Sequence, residues 1–241
     1  MTRTPIWTSI AQTLRHEIAS GHYVEGDKLP TEAALSARFG VNRHTVRHAL
    51  KSLGEDGTVH ARRGAGVFVT STPTDYAIGR RVRFHQNLTA AGRIPAKEVL
   101  LLDTRTADPK EAEALQLETG AQVHAYEGLS LADGQPIAHF RSIFPADRFP
   151  GLLAALDSTR SVTAAFKVEG LADYTRASTR LTAKRATATQ ALHLRIEEGA
   201  PILRTVALNV DPEGAPVEYG HTWFAGDRVT LTVDGSELSH D

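Results

Sequence analysis

The sequence predicts an α+β protein of two domains, a small helical domain that ends in a β-hairpin and a larger domain built on an antiparallel sheet. Three observations predict this class. Apolar residues recur at helical spacing up to about residue 57, an alternating pattern replaces that spacing in "TVHARRGAGVFVT", and the rest of the chain holds more strand-like than helix-like segments. We place the domains at residues 1–70 and 80–241, joined by a linker at residues 71–79 that is rich in Thr and Pro.

Charge is unevenly distributed along the 241 residues, whose formal net charge is only −1. The first seventy residues contain nine Lys and Arg against six Asp and Glu, whereas the remainder contains 18 basic and 22 acidic residues. The chain has no cysteine, which excludes disulfides and thiolate metal sites. Because no apolar stretch approaches the roughly 20 residues of a membrane span, we expect a soluble, cytoplasmic protein without a membrane partner.

Three helices are predicted in the N-terminal domain. The first opens at Pro5, and its apolar residues recur at helical spacing: Ile6, Ile10, Leu14 and Ile18. Thr31 is a suitable N-cap for the second helix, which Gly40 ends. Asn42 caps the third helix after a turn of only three residues, "FGV". So short a connection predicts two helices that pack against each other.

The third helix separates an apolar face from a basic one. Its core-facing positions follow the i, i+3, i+4, i+7 pattern: Val46, Ala49, Leu50 and Leu53. The basic residues Arg43, His44, Arg47 and Lys51 must therefore be exposed. Two helices joined by a short Gly-containing turn, the second exposing such groups from its first turns, form a helix-turn-helix, whose N-terminal recognition residues reach base edges.

A β-hairpin is predicted directly after this helix, around "RRGAG". Gly64 and Gly66 permit a tight tip, and a hairpin in this position is a wing. Arg62 and Arg63 at its base suit contacts to phosphates, while the small tip suits a minor groove.

The segment "GDKLPTEAALSARFGVNRHTVRHALKSLGEDGTVHARRGAGVFV" resembles the winged-helix DNA-binding domain of the GntR family of bacterial transcription regulators. The resemblance covers about the first seventy residues. Ala33 departs from it, since the family commonly has an arginine there that helps to contact DNA. Together with the helix-turn-helix pattern, the resemblance implies DNA contacts at Thr31, Glu32, Asn42, Arg43, His44, Thr45, Arg47, Arg62, Arg63, Gly64 and Gly66.

The C-terminal part alternates strands, hairpins and short helices. A short helix in "RRVRFHQNLTAAG" precedes a strand "AKEVLLLDTRTA", a helix at 109–117, a hairpin that turns at "DGQP" and helical pieces at 152–168. A strand "YTRASTRLTA", a helix at 187–194 and two strands around "DPEGAP" follow. Hairpin connections imply a largely antiparallel sheet.

That order resembles the effector-binding (UTRA) domain of the HutC branch of the GntR family, whose fold is similar to chorismate lyase. The segments "ADGQPIA", "DSTRSVTAAF" and "DPEGAPVEYGHTWFAGDR" carry the resemblance. Within that branch, "VNRHTVRHAL", "RFHQNL" and "STRLTAKRA" are similar to a regulator of phosphonate uptake and breakdown genes. The resemblance implies a homodimer that binds double-stranded operator DNA and a small anionic effector, with no cofactor.

Candidate effector residues come from two sources. The resemblance places phosphate-binding main-chain amides at Arg83, Phe84 and His85 and a pocket serine at Ser161. From residue chemistry we add two arginines, whose guanidinium groups match a pair of phosphonate oxygens, and two residues of the last hairpin that are equally suited to support the fold. These further candidates are Arg141, Arg180, Glu218 and Tyr219.

One departure affects this site. Many proteins of the branch have an Arg-x-Arg pair just before the "ADG" turn, where this chain has Gly128, Leu129 and Ser130. Part of the usual anion clamp is therefore missing. Either the ligand differs from a sugar phosphate, or Arg141 and Arg180 replace the pair.

The sequence thus favours a ligand-responsive repressor of genes for phosphonate uptake and metabolism. The alternatives are a HutC-type regulator of another small anion such as a sugar phosphate, a C-terminal domain that only dimerises, and, remotely, a lyase-like enzyme. No catalytic or metal-binding set emerges, because the remaining histidines are scattered through the C-terminal part and the two on the third helix lack a third ligand. These histidines are His124, His139, His193 and His221, and His44 and His48.

Overall fold

The computed structural model describes residues 5–62, 64–70, 73–80, 84–90 and 92–233, apart from the side chains of His85 and Gln86. The chain divides into two compact units between Thr72 and Pro73. Each unit has its own hydrophobic core. None of the described helices combines the length and the apolar composition needed to cross a membrane.

The N-terminal unit holds three helices and a hairpin, with the bounds α1 (Ile6–Ala19), α2 (Glu32–Phe39), α3 (Arg43–Glu55), β1 (Val59–Arg62) and β2 (Gly66–Val69). The predicted caps are confirmed. The Thr31 side chain accepts from the Ala34 amide, and the Asn42 side chain accepts from the Thr45 amide. Gly40 ends α2 in the left-handed conformation at φ 64°.

The core of this unit is formed by the predicted apolar faces. Val46, Ala49, Leu50 and Leu53 are all buried, as the spacing on α3 predicted. On α1, Ile10 and Leu14 are buried, whereas 64% of Ile6 is exposed. Ile6 is the first residue of its helix, and the buried stripe of α1 is therefore shorter than the periodic spacing.

The C-terminal unit alternates helices and strands. Its bounds are β3 (Thr74–Ala77), α4 (Phe84–Ala90), β4 (Pro95–Thr106), α5 (Pro109–Leu115), β5 (Gln122–Ala132), β6 (Gln135–Pro145), α6 (Leu152–Thr159), α7 (Val162–Val168), β7 (Thr175–Arg185), α8 (Ala188–Leu194), β8 (Pro201–Val210), β9 (Pro216–Ala225) and β10 (Val229–Thr232). Six of these strands form an antiparallel sheet in the order β4-β5-β6-β9-β8-β7. The predicted α+β class is confirmed.

The segment predicted as a linker, residues 71–79, is partly a strand. Within it β3 pairs in parallel with β10, so that Tyr76 lies opposite Leu231. Tyr76 and the following Ile78 are buried. A strand of four residues beside Pro73 gives little periodic signal, and its partner lies at the other end of the chain. This pairing corrects the linker boundary.

The two faces of the six-stranded sheet carry different elements. On one face α6 and α7 pack over aromatic residues of β5 and β6, and α4, β3 and β10 pack over the ends of β6 and β9. On the other face α5 packs near Ile143 and Tyr219, and α8 packs near Trp223. Because side chains alternate along each strand, neighbouring residues belong to opposite faces. We call these the cavity face and the α5/α8 face.

Candidate functional site

The first turn of α3 presents the predicted recognition residues to solvent. Arg43 and His44 are exposed, and Thr45 is half-buried. The Asn42 carboxamide oxygen accepts from both the amide and the hydroxyl of Thr45, each at 2.9 Å. The cap therefore fixes the start of the helix and also orients the Thr45 hydroxyl.

Arg47 and Glu32 form a bidentate ion pair between α3 and the start of α2. The Arg47 Nε donates to Glu32 Oε1 at 3.0 Å, and its Nη2 donates to Oε2 at 2.7 Å. The hydrogen bond from Arg47 lowers the pKa of Glu32 below its usual value. The ion pair fixes the position of the Arg47 guanidinium relative to α2. The Thr31 hydroxyl caps α2. The DNA contacts expected of Glu32 and Thr31 stay predictions.

The wing has the predicted hairpin form. Its strands pair so that Arg62 lies opposite Gly66, and Gly64 and Gly66 adopt φ of 79° and 121°. The Arg62 Nε donates to His60 Nε2 at 3.0 Å, and its guanidinium lies 4.7 Å from the Phe68 ring centre. These contacts hold Arg62 along the wing. Arg63 lies outside the described residues.

A cavity of about 600 Å³ lies in the C-terminal unit on the cavity face of the sheet. Its walls come from β3 to β7, from β9 and from the segment of α6 and α7. Hydroxyl groups line much of it, contributed by Ser130, Ser142, Ser161, Thr163 and Thr222. Its volume suits a small organic ligand.

Lys97 on β4 supplies one cation to this cavity. Its Nζ lies among three aromatic rings, 4.6 Å from the centre of Phe140, 5.4 Å from Phe84 and 5.6 Å from Tyr126. Burial lowers the pKa of Lys97 to about 8, against the opposing effect of Glu218. Aromatic faces attract the ammonium but leave its charge unneutralised.

Arg176 on β7 supplies a second cation and begins a chain of polar contacts. Its Nε donates to Asn209 Oδ1 at 2.8 Å, and Asn209 Nδ2 donates to Glu218 Oε2 at 2.6 Å. The other oxygen of Glu218 accepts from the Ser142 hydroxyl at 2.6 Å. Arg176 and Lys97 form no ion pair with a described carboxylate. The described lining thus contains Lys97 and Arg176 without a carboxylate partner and the buried Glu218, together with the exposed Lys167 and the half-buried Asp173.

Three of the predicted effector residues line this cavity, namely Phe84, Ser161 and Glu218. The Ser161 hydroxyl also caps α7 by accepting from the Ala164 amide at 3.3 Å. Arg83 and the side chain of His85 lie outside the described residues.

The other three predicted effector residues, Arg141, Arg180 and Tyr219, lie on the α5/α8 face. Tyr219 follows Glu218, and Arg141 stands between Phe140 and Ser142, so alternation turns both away from the cavity. Arg180 pairs with Val206. This placement corrects our expectation that these residues share one pocket with Ser161.

The glycine in place of the first arginine of the usual pair has a structural explanation. A Cβ on Gly128 would lie 2.4 Å from the Glu98 carbonyl oxygen and 2.9 Å from Cζ of Phe140. The Phe140 ring therefore occupies the space that a side chain at position 128 would need. Lys97 pairs with Ser130 across the strands and contacts that same ring. Lys97 thereby brings a cation to the cavity beside the position of the missing pair.

Sequence reasoning missed Lys97 and Arg176. A lysine in an alternating strand is usually solvent-exposed, so Lys97 gave no signal. Arg176 was overlooked beside Arg180, and only the register of β7 distinguishes the two.

A winged helix-turn-helix joined to a sheet domain with a ligand-sized cavity defines a DNA-binding transcription regulator with an effector domain. The family model described as "Bacterial regulatory proteins, gntR family" matches residues 7–69, and that of the UTRA domain matches residues 90–230. The chain belongs to the GntR family and carries a UTRA domain of the HutC type.

Curated relatives extend over almost the whole chain. An uncharacterised HTH-type transcriptional regulator of Rhizobium meliloti strain 1021 is 39% identical, and the "Probable transcriptional regulator PhnF" of Escherichia coli K12 is 34% identical. Each alignment covers 95% of this chain and 94% of the relative. The "Mannosyl-D-glycerate transport/metabolism system repressor MngR" of Escherichia coli K12 is 27% identical over 97% of both chains.

Among solved structures, PhnF of Mycobacterium smegmatis matches with a TM-score of 0.66 at 26% identity, covering 93% of this chain and 98% of that one. These similar proteins are regulators, so the chain is a transcription regulator and not an enzyme of the lyase type.

Proposed function

We propose that this protein is a cytoplasmic, homodimeric repressor whose effector is a small organic anion carrying a phosphonate or phosphate group. The observation that carries the proposal is the pair of cations Lys97 and Arg176 in one cavity, neither of them neutralised by a described carboxylate. An anionic head group is the natural partner of such a pair, and a guanidinium binds two of its oxygens at once. The likeness to PhnF supports phosphonate metabolism as the field of regulation.

Glu218 refines the chemical class. Its carboxylate lines the same cavity and is linked to Arg176 through Asn209. A ligand with an anionic and a cationic end would satisfy both signs of charge. An aminoalkylphosphonate fits this description better than a simple alkylphosphonate.

A sugar phosphate is the second candidate. The hydroxyl-rich lining of the cavity favours a polyhydroxylated ligand, and MngR, by its name, represses a system that handles a mannosyl compound. If neither class binds, the C-terminal unit acts only in dimerisation.

Effector binding is linked to DNA binding through the start of the C-terminal unit. Tyr76 lines the cavity and belongs to β3, which begins at Thr74, directly after the division of the chain at Thr72. A ligand that contacts Tyr76 therefore acts on the segment that continues into the DNA-binding unit. Release from DNA requires that the effector bind the DNA-free form more tightly, since equal affinity for both forms changes nothing.

The DNA-binding surface consists of Arg43, His44, Thr45 and Arg47 on α3 together with the wing. A helix-turn-helix dimer reads two half-sites about one helical turn apart, so we expect a two-fold symmetric operator. Loss of Arg47 should cost about 1–3 kcal/mol at the operator if it reads a guanine. Arg38 provides a matched control, because it lies in the same unit and is likewise paired with a glutamate, Glu17.

The test is fluorescence anisotropy with the DNA upstream of the gene and a scrambled duplex, at two salt concentrations. We expect a preference of about a thousandfold or more for the upstream DNA, reduced by Arg47→Ala and retained by Arg38→Ala. Equal, steeply salt-dependent binding to both duplexes would argue against specific recognition there.

Effector classes are compared in the same assay. We expect 2-aminoethylphosphonate to release DNA at lower concentration than ethylphosphonate, glucose 6-phosphate or inorganic phosphate. Release by the sugar phosphate alone would replace the phosphonate proposal with the second candidate. Calorimetry without binding of any of the four would favour a purely dimerising domain.

A further inference from the structure

Three metal-ligating side chains converge on the α5/α8 face, away from the effector cavity. They are Glu127 on β5, His139 on β6 and His193 on α8. One ligand atom from each lies within 4.8 Å of the other two. The sequence separates these residues widely, and it is the packing of α8 on β6 that brings His193 to the pair.

The nitrogens of the two histidines are unusual for buried polar atoms. His139 is only 4% exposed, and its Nε2 lies 2.7 Å from Glu127 Oε1. Since a carboxylate only accepts, Nε2 carries the proton, and Nδ1 of a neutral His139 presents a lone pair. Within the described part of the chain, Nδ1 of His139 and Nδ1 of His193 are both buried and without a hydrogen-bond partner. Buried polar atoms normally have a hydrogen-bond partner or a ligand, so these two nitrogens are expected to bind a water molecule or an ion.

Both oxygens of Glu127 are engaged by neighbouring residues. His139 Nε2 donates to Oε1 at 2.7 Å, and Arg141 Nε donates to Oε2 at 2.8 Å. Glu127 therefore orients His139 and leaves the ligand role to the two imidazoles. A carboxylate bonded to an imidazole is also the arrangement that fixes the tautomer and the orientation of a metal-binding histidine.

We propose that Glu127, His139 and His193 form a binding site for a divalent transition-metal ion such as Zn²⁺, Ni²⁺ or Cu²⁺. Imidazole nitrogens select these ions, whereas Mg²⁺ and Ca²⁺ prefer sites built from oxygen ligands. His139 and His193 would supply Nδ1 as ligands, Glu127 would orient His139 through its Nε2, and water would complete the coordination of the ion. The site is independent of the effector cavity, because none of the three residues lines that cavity.

Trp223 provides a direct optical test. Its ring stacks on His139 with centroids 5.1 Å apart, and the only other tryptophan of the chain, Trp7, stacks on His48 in the N-terminal unit. In a full-length Trp7→Phe variant, the remaining tryptophan fluorescence therefore reports on His139. After dialysis against EDTA, Ni²⁺ or Cu²⁺ should quench it saturably at one ion per chain, and added EDTA should restore it. Absence of saturable quenching would overturn the proposal.

Two further variants separate this site from neighbouring histidines. His193→Gln removes a ligand nitrogen from a half-buried position, and we expect at least a tenfold loss of affinity for the ion. His221→Gln is the matched control, since His221 lies on the same face, 5.9 Å from Trp223 between ring centres, but outside the three-residue set.

The control should bind the ion as the parent does, while circular dichroism and DNA binding show that both variants fold. Unchanged affinity in His193→Gln, or loss of binding in His221→Gln alone, would place the ion elsewhere and refute the assignment.

Discussion

The two faces of the six-stranded sheet differ in the partners of their charged residues. On the cavity face, Lys97 and Arg176 have no ion pair with any described carboxylate. On the α5/α8 face, Arg141 is paired with Glu127, which also contacts His139. Both faces hold cations, so the presence of an arginine does not distinguish an effector site from a structural one. What distinguishes Lys97 and Arg176 is that they lack a described carboxylate partner and also line a ligand-sized cavity. Arg180, which likewise forms no ion pair with a described residue, does not line that cavity.

Arg176 and Arg180 show how narrowly the two faces are separated. They are four residues apart on β7, a spacing that would place both on one face of a regular strand. The register shifts between Arg176 and Ser178, so that Arg176 pairs with Asn209 and Arg180 with Val206. Asn209 and Val206 are three residues apart on β8 and therefore lie on opposite faces of the sheet. The bulge sends Arg176 to the cavity and Arg180 to the other face.

The largest expected effect is on effector binding when Arg176 is replaced by Ala. A hydrogen bond to a charged group contributes about 1.5–3 kcal/mol, so affinity for the effector should fall about tenfold to a hundredfold. Arg180→Ala, on the same strand, should leave it unchanged. Calorimetry with the ligand found in the release assay measures both variants, and equal losses would erase the distinction between the two faces.

The second expected effect is on stability and concerns two glycines of the cavity face. A Cβ at position 128 would lie 2.4 Å from a carbonyl oxygen, whereas one at position 220 would meet nothing closer than 3.7 Å. Gly128→Ala should therefore reduce the free energy of unfolding by about 1–3 kcal/mol, through overpacking against Phe140 and β4. Gly220→Ala should change it by less than about 1 kcal/mol. Urea unfolding compares them, and a tolerated Gly128→Ala would contradict the close packing around Phe140.

The two units differ in how much of their structure the sequence predicts. The N-terminal unit depends on local signals, and the caps at Thr31 and Asn42 and the left-handed Gly40 were all predictable from neighbouring residues. In the C-terminal unit the order of the main strands was predictable from alternation and turns. The face of the sheet on which a residue lies was not predictable, because a single bulge in β7 reverses the alternation. Strand β3 was not predictable either, because its partner β10 is distant in sequence.

A third, smaller effect tests whether the Lys97 ammonium holds the anion. Its pKa of about 8 means that the protonated fraction falls from about nine-tenths at pH 7 to about one-tenth at pH 9. Effector affinity should accordingly fall by about tenfold over this range. Lys97→Arg keeps its charge throughout, so the ratio of parent to variant affinity cancels the titration of the ligand itself. A ratio that stays constant with pH would exclude Lys97 from the anion contact.

The smallest effect is expected on the α5/α8 face, where Arg141→Ala removes a half-exposed partner of Glu127. Exposed ion pairs contribute about 0–1 kcal/mol, and Glu127 keeps its hydrogen bond to His139, so no carboxylate is left unpaired. The loss of stability should stay below about 1 kcal/mol at pH 7, with effector affinity unchanged.

The pH dependence of this small loss follows from the sign of the shift. The pKa of Glu127 is lowered by folding, so its contribution is present above the ordinary value near 4.5 and declines as pH falls toward about 2. The gap between parent and Arg141→Ala should therefore stay constant from pH 7 to about pH 4.5 and narrow as pH falls from there toward about 2 in urea unfolding. A gap that widens in acid, or a weakened effector response in the variant, would mean that charges on the two faces are not independent.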